Sequence, residues 1–372
     1  MKRMEFKTGK MYRFKNKGSG KYLDVARDSK AEWANIQQYE YVNGLSEKFF
    51  IHPLDNNYYA IISCLSGRAL DIAYDSKDNW ANVQLYHWNG GDSECWYLNP
   101  DPNNPGYHIV MSKRSGKVLD VARDSSDNWA NIQMYDELAG LDGQRWLIEE
   151  DGEVTLPTIT TDTLTKIPQC KAIDEVLPDK TKKVATHSTI VPAMLVTDSI
   201  YSLATQIEKS PYYILVKSQY WKKTADYRLA PGESHEITNT TGMTVTDQQT
   251  IKSTIGISIQ SDVGISFEGI SASLSRKFSY ELEVSISHTT EKLSQETQRH
   301  KIVNVKDTDM RFVQYILETE YMLQRSNGSV VKSWGLNDKN TIHSVSYFQK
   351  KSDSENKSVI GSISDIETIN GY

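Results

Sequence analysis

Three aspartates, Asp24, Asp71 and Asp120, each stand 13 residues before a glutamine (Gln37, Gln84, Gln133) and 15 before a tyrosine (Tyr39, Tyr86, Tyr135). A carboxylate accepts charge-assisted hydrogen bonds from two vicinal hydroxyls. A tyrosine face covers the apolar C–H side of a pyranose while its hydroxyl stays in water. The set therefore reads as a shallow sugar pocket, written three times. Trp33, Trp80 and Trp129 each open a Trp-Ala-Asn turn inside these spans and can supply a second wall. The same residues also suit a structural role, with the aspartate capping a turn, the glutamine bridging strands and the tyrosine in a core.

Other chemistry has no candidate. No His-Glu-x-x-His, Cys-x-x-Cys, phosphate loop or Gly-x-Ser-x-Gly occurs, and the eight histidines are scattered, so no enzyme centre, metal site or cofactor is expected. Cys64, Cys95 and Cys170 lack metal spacing and form an odd set, which reads as buried free thiols. Glu281 and Glu283 share one strand face, as hydrated surface or as tuning of cation preference in a pore lumen.

The elements that position the three pockets are repeats. GKYLDVARDSKAEWANIQQYEY from Gly20, GRALDIAYDSKDNWANVQLYHW from Gly67 and GKVLDVARDSSDNWANIQMYDE from Gly116 align without gaps. Each closes on an aromatic: Glu47-Lys48-Phe49, Glu94-Cys95-Trp96 and Gln144-Arg145-Trp146. Leu23, Val25, Ile36 and Phe49 alternate with polar residues, a strand-loop-strand pattern. One unit cannot bury that apolar side alone, so three pack around a shared axis. This segment, about residues 8–150, resembles the ricin-type β-trefoil lectin family, which implies carbohydrate binding by the Asp, Gln and aromatic positions named above. The family's pocket asparagine is replaced by Ser46, Ser93 and Gly143, which puts a galactose preference in doubt. Three weak sites on one rigid body gain through effective concentration, so a glycan-rich cell surface is the expected target.

At 372 residues the chain has room for two cores, and a net charge of −6 with interspersed signs offers no face to nucleic acid. No secretory leader and no apolar run long enough for a membrane helix is evident. A polar, Thr-rich stretch from Asp151 to Lys166 marks a link. The expected organisation is all-β: a trefoil over 1–152, an elongated antiparallel sheet domain over 153–350 and a polar tail over 351–372.

Within the second half, alternation is long between Ile251 and Ser287. Apolar residues fall at Ile255, Ile257, Ile259, Val263, Ile265 and Phe267, then at Ile270, Ala272, Leu274, Phe278, Tyr280, Leu282, Val284 and Ile286. With Glu268-Gly269 as a two-residue turn, Phe267 pairs with Ile270 and every apolar residue shares one face. The exceptions, Ser261 and Arg276, fall on one rung. Each arm exceeds the about 9–11 residues that cross a bilayer as a strand. One hairpin cannot stand alone in lipid, because its edges leave N–H and C=O groups unpaired, so insertion requires a closed ring of copies. An ordinary amphipathic hairpin of a soluble sheet has the same pattern.

The run Pro211-Tyr212-Tyr213-Ile214-Leu215-Val216-Lys217-Ser218-Gln219-Tyr220-Trp221, with Gln248-Gln249-Thr250-Ile251 leading into the alternation, resembles the Bin-like family of bacterial insecticidal crystal toxins over about 155–350. Members join an N-terminal trefoil to an aerolysin-like β-pore-forming module. The resemblance implies a protoxin made in the bacterial cytoplasm as a crystal inclusion, trimmed by proteases and acting on a target-cell membrane. Its implied partners are cell-surface glycans or a glycoprotein receptor, the membrane, further copies of itself and, in some members, a second toxin protein. The other reading is a carbohydrate-binding lectin whose second half is a β-rich oligomerisation or storage domain.

Overall fold

The computed structural model describes residues 5–259, 265–267, 272–285 and 295–349. The strands of the first part are β1 (Lys10–Asn16), β2 (Tyr22–Val25), β3 (Ile36–Tyr39), β4 (Phe49–Pro53), β5 (Tyr58–Ser63), β6 (Ala69–Ile72), β7 (Val83–Tyr86), β8 (Trp96–Pro100), β9 (Tyr107–Ser112), β10 (Val118–Val121), β11 (Ile132–Tyr135) and β12 (Trp146–Glu153). Strands β1, β4, β5, β8, β9 and β12 pair in a closed ring, so six strands make a barrel without a free edge. The hairpins β2–β3, β6–β7 and β10–β11 cover one end of it. This is the β-trefoil that the repeats predict.

Its core obeys the threefold rule of the sequence. Leu23, Leu70 and Leu119, Val25, Ile72 and Val121, and the closing aromatics Phe49, Trp96 and Trp146 are all buried in one cluster. On the axis the asparagines of the Trp-Ala-Asn turns close a ring. The Asn35 amide donates to Asn131 (2.9 Å), Asn131 to Asn82 (3.0 Å) and Asn82 to Asn35 (2.9 Å). Each half-buried amide thus satisfies the next, which fixes the rotation between repeats.

The second part comprises β13 (Val184–Pro192), α1 (Leu203–Lys209), β14 (Tyr212–Leu229), β15 (Ser234–Thr241), α2 (Val245–Ile255), β16 (Ile257–Ile259), β17 (Ile265–Phe267), α3 (Ala272–Leu282), β18 (Glu296–Val303), β19 (Met310–Gln324) and β20 (Val330–Phe348). Strands β13-β14-β19-β20 form an antiparallel sheet, and β15 pairs with β18 in a separate antiparallel ribbon. At 18 residues, β14 runs for roughly 60 Å, so the domain is elongated. Residues 157–173 lie without strand or helix; Tyr315 bonds the nearby Pro178 carbonyl and Trp221 the Thr165 carbonyl, which helps strap the connection to the sheet.

The two parts share a core. Phe50, Ala60, Ile62, Cys64 and Cys95 of the trefoil join Val191, Tyr212, Leu215, Ile251, Phe278 and Trp334 in one buried cluster. Tyr212 accepts a hydrogen bond from the Gly9 amide at 3.0 Å. Gly67, at φ 75, leaves room for Leu203, whose Cγ would lie 3.0 Å from any added Cβ. The three cysteines are buried and unpaired.

The hairpin expected over 251–286 is not how these residues are arranged. Val245–Ile255 and Ala272–Leu282 are helices, and between them Ile257 pairs with Phe267 and Ile259 with Ile265 rather than Phe267 with Ile270. The reason is a coincidence of periods. Ile251 and Ile255, and Leu274, Phe278 and Leu282, are four apart, a spacing that keeps residues on one face of a strand and also on one face of a helix. Local chemistry then favours helix. Thr244 caps α2 by accepting from the Asp247 amide at 3.0 Å, and Gly256 ends it at φ 64. Tyr280, two residues from the apolar row, points to solvent at 85% exposure. Val263, Ile270 and the tail 351–372 lie outside the described residues.

Candidate functional site

Each predicted sugar residue falls at one end of the trefoil, on the three covering hairpins. Asp24 faces Gln37 directly across β2–β3, as Asp71 faces Gln84 and Asp120 faces Gln133 in the other two. The glutamine amide donates to the carboxylate at 2.8, 3.0 and 2.9 Å. Ser46 and Ser93 add hydroxyl bonds to Asp24 and Asp71. In the third repeat, which has Gly143 there, Gln144 donates to Asp120 instead (3.2 Å). Burial pushes all three carboxyls above their usual range, and the donors offset part of that shift. The platforms Tyr39, Tyr86 and Tyr135 are half-buried beside them. Asp, Gln and aromatic thus lie together in every repeat, with the glutamine also bridging its strands.

The tryptophans do something the repeat alignment does not reveal. Trp33 packs on Tyr86 (6.3 Å between ring centroids), Trp80 on Tyr135 (5.7 Å) and Trp129 on Tyr39 (5.7 Å). The second wall of each pocket therefore comes from a different repeat. All three take positive φ, 61° for Trp33 and 67° for the other two, a region costly for a bulky side chain, of order 1 kcal/mol each. In the third repeat an open cavity of about 940 Å³ is lined by Trp80, Asp120, Arg123, Gln133, Tyr135 and Leu138.

A buried acid under two of the pockets also escaped sequence reasoning. Glu47 holds its loop by accepting from the Val42 and Gly44 amides, and Glu94 by accepting from Asn89 and Gly90. The third repeat has Gln144 here. Burial raises the Glu94 carboxyl to about 7, and Asp71 adds to the rise. The signal was present in the closing triplets, where Glu, Glu and Gln hold one position.

The second site is the segment between β15 and β18. Ile251, Ile255, Ile257, Phe278 and Leu282 are buried in the shared core, which stabilises this arrangement by about 1.5–3 kcal/mol for each large apolar side chain. Polar contacts hold α3 to the sheet. The buried Lys217 ammonium donates to the carbonyls of Leu282 (3.0 Å) and Glu283 (3.1 Å), Thr189 bonds Glu281, and His187 lies 3.1 Å from Glu283. A cation at a helix C-terminus satisfies carbonyls that lack partners.

Comparison with known proteins finds likenesses in both halves. The family model described as insecticidal crystal toxin, P42, matches residues 184–349, and that of the ricin-type β-trefoil lectin-like domain matches 3–86 and 46–135. Residues 184–349 are thus similar to the insecticidal crystal toxin family. Among relatives, the chain is 30% identical over 192 residues to the binary larvicide subunit BinA of Lysinibacillus sphaericus, covering 50% of this chain and 52% of BinA. It is 26% identical over 176 residues to subunit BinB of the same organism, covering 47% of this chain and 39% of BinB. The insecticidal crystal protein Cry35Ab1 of Bacillus thuringiensis is 29% identical over 203 residues, 49% of this chain and 53% of that protein. The chain thus matches about half the length of these relatives or less. In three dimensions the likeness is wider: the crystal structure of Cry35Ab1 superposes with a TM-score of 0.75 over 92% of this chain and 91% of that one, at 22% identity, so the two share a fold. The matched families are named for toxins and lectins, not for enzymes.

Proposed function

We propose that this chain is an insecticidal β-pore-forming toxin. The trefoil docks on cell-surface glycans or a glycoprotein receptor, copies assemble, and residues 242–295 unroll into a membrane-crossing hairpin. The observation that carries this reading is one of register. In the resting ribbon Ser234 faces Val303 and Thr241 faces Glu296. Counting 26 residues onward from Thr241 and 26 back from Glu296, without a slip, brings Phe267 opposite Ile270. That is the pairing at which the sequence places every apolar residue of 255–282 on one face.

The faces agree as well. In the ribbon the inward side carries the buried Ile237, Asn239, Thr241 and Ile302. The same side, continued, carries Ile255, Ile257, Ile259, Val263, Ile265 and Phe267 on one arm and Ile270, Leu274, Phe278, Tyr280 and Leu282 on the other. The opposite side is Ser, Thr, Gly and charge, suited to a water-filled lumen. Helices α2 and α3 are then a compact store for a ribbon whose seed is already paired. Bare edges cannot remain in hydrocarbon, so several copies must close a barrel. The relatives named as subunits of a binary larvicide favour a second toxin protein as a further partner. Release from the producing cell and action from outside the target cell complete the proposal.

Thr189→Cys with Glu281→Cys pins α3 to β13 and tests it. Oxidised protein should bind target-cell vesicles yet release no trapped dye, and reduction should restore release. Binding without leakage in the unmodified protein would leave a lectin with a β-rich oligomerisation module.

A further inference from the structure

The three indoles are 66–69% exposed. Their turns have drifted between repeats, reading Lys30-Ala31-Glu32, Lys77-Asp78-Asn79 and Ser126-Asp127-Asn128 just before the tryptophan, which is the same each time. Glycine would sit more easily at this φ.

The main chain fixes where each indole points. The Trp33 amide donates to the Leu85 carbonyl (2.8 Å), Trp80 to Met134 (2.8 Å) and Trp129 to Gln38 (2.9 Å). In each case the acceptor is the residue just before the platform tyrosine of another repeat. The rings are splayed, at 33°, 62° and 49°, rather than stacked. A pyranose held on the tyrosine by Asp and Gln leaves the outward indole face uncovered, and the cavity of the third repeat runs across both rings.

We propose that each pocket is a two-ring site for a disaccharide or longer glycan, one pyranose on the tyrosine and the next on the indole lent by the preceding repeat. This rests on the sugar-binding reading above. Trp33 serves the Asp71 pocket, Trp80 the Asp120 pocket and Trp129 the Asp24 pocket, so the three sites form a closed ring in which loss of the indole from one repeat is felt in the next.

The test uses the full chain carrying Asp71→Asn and Asp120→Asn, which leaves the Asp24 pocket. Methyl glycosides of the common pyranoses, and di- and trisaccharides built from them, are titrated against it. Trp129→Gly should weaken the longer glycans on the order of tenfold and the monosaccharides less than twofold, with an unfolding midpoint unchanged or raised. Trp33→Gly should change neither. Equal loss for short and long ligands, or an effect of Trp33→Gly in place of Trp129→Gly, overturns the two-ring site and leaves the sugar reading standing. Absence of binding to any glycan by the unmodified chain overturns both.

Discussion

Asp55 of the trefoil caps a helix of the second part: its Oδ2 accepts the Ala272 amide at 2.5 Å, at the first turn of α3. Arg276, one turn on, lies 3.9 Å from the same carboxylate. At the other end of α3, Lys217 of β14 takes the last carbonyls. The helix is thus held by an acid at its N-terminus and a base at its C-terminus, each from another element, in the sense its dipole favours.

Asp55→Ala removes the first of these holds. A lost cap costs about 1 kcal/mol. The expected outcome is faster amide hydrogen exchange in α3, with the trefoil strands unaffected, and faster dye release from target-cell vesicles. Unchanged exchange in α3 would mean that Asp55 does not hold the helix.

Two buried groups on the trefoil give opposite pH slopes. The Glu94 carboxyl is raised to about 7, so its contribution to stability is complete below the ordinary 4.5 and is lost as pH rises through 7. Burial lowers His52, packed against Tyr212 at the junction of the two parts, to about 4, with Lys277 adding to the shift. Its contribution is present above 6.5 and is lost as pH falls through 4. Each amounts to at most about 3 kcal/mol.

Separating them is direct. Glu94→Gln copies what Gln144 already does in the third repeat and should leave stability rising with pH between 4 and 6.5 in urea unfolding. His52→Gln should leave the reverse, a fall between 4.5 and 7. The double variant should lose both of these contributions, leaving only the slopes of the other titrating groups.

Most of the trefoil was legible because it is written three times. Asp24 facing Gln37, and the burial of Leu23, Val25 and Ile36, follow from alternation and spacing alone. The lending of Trp33 to Tyr86 did not show, because alignment compares repeats with one another and is blind to contacts between them. The hairpin was misread for this state on physical grounds. Leu274, Phe278 and Leu282 satisfy two periods at once, and the choice between them is made by Thr244, Gly256, Asp55 and Lys217, two of which are distant in sequence. The register of the ribbon, in contrast, was implicit in the same alternation and reappears in the pairing of Ser234 with Val303.

If the three pockets act together on a glycan-rich surface, their loss should not be additive. Asp71→Asn removes one carboxylate and leaves its neighbours intact, since each Asp–Gln pair closes within its own hairpin. Binding of a soluble glycan should fall by about a third in sites occupied, with the affinity of the remaining two unchanged. On glycan-coated vesicles each lost pocket removes a factor of effective concentration, so the first and second substitutions should each cost an order of magnitude or more, and the third should abolish binding. Surface plasmon resonance at high and low glycan density distinguishes the two regimes. Equal losses at both densities would show that the pockets work one at a time, and that a single strong contact, not the threefold array, selects the target.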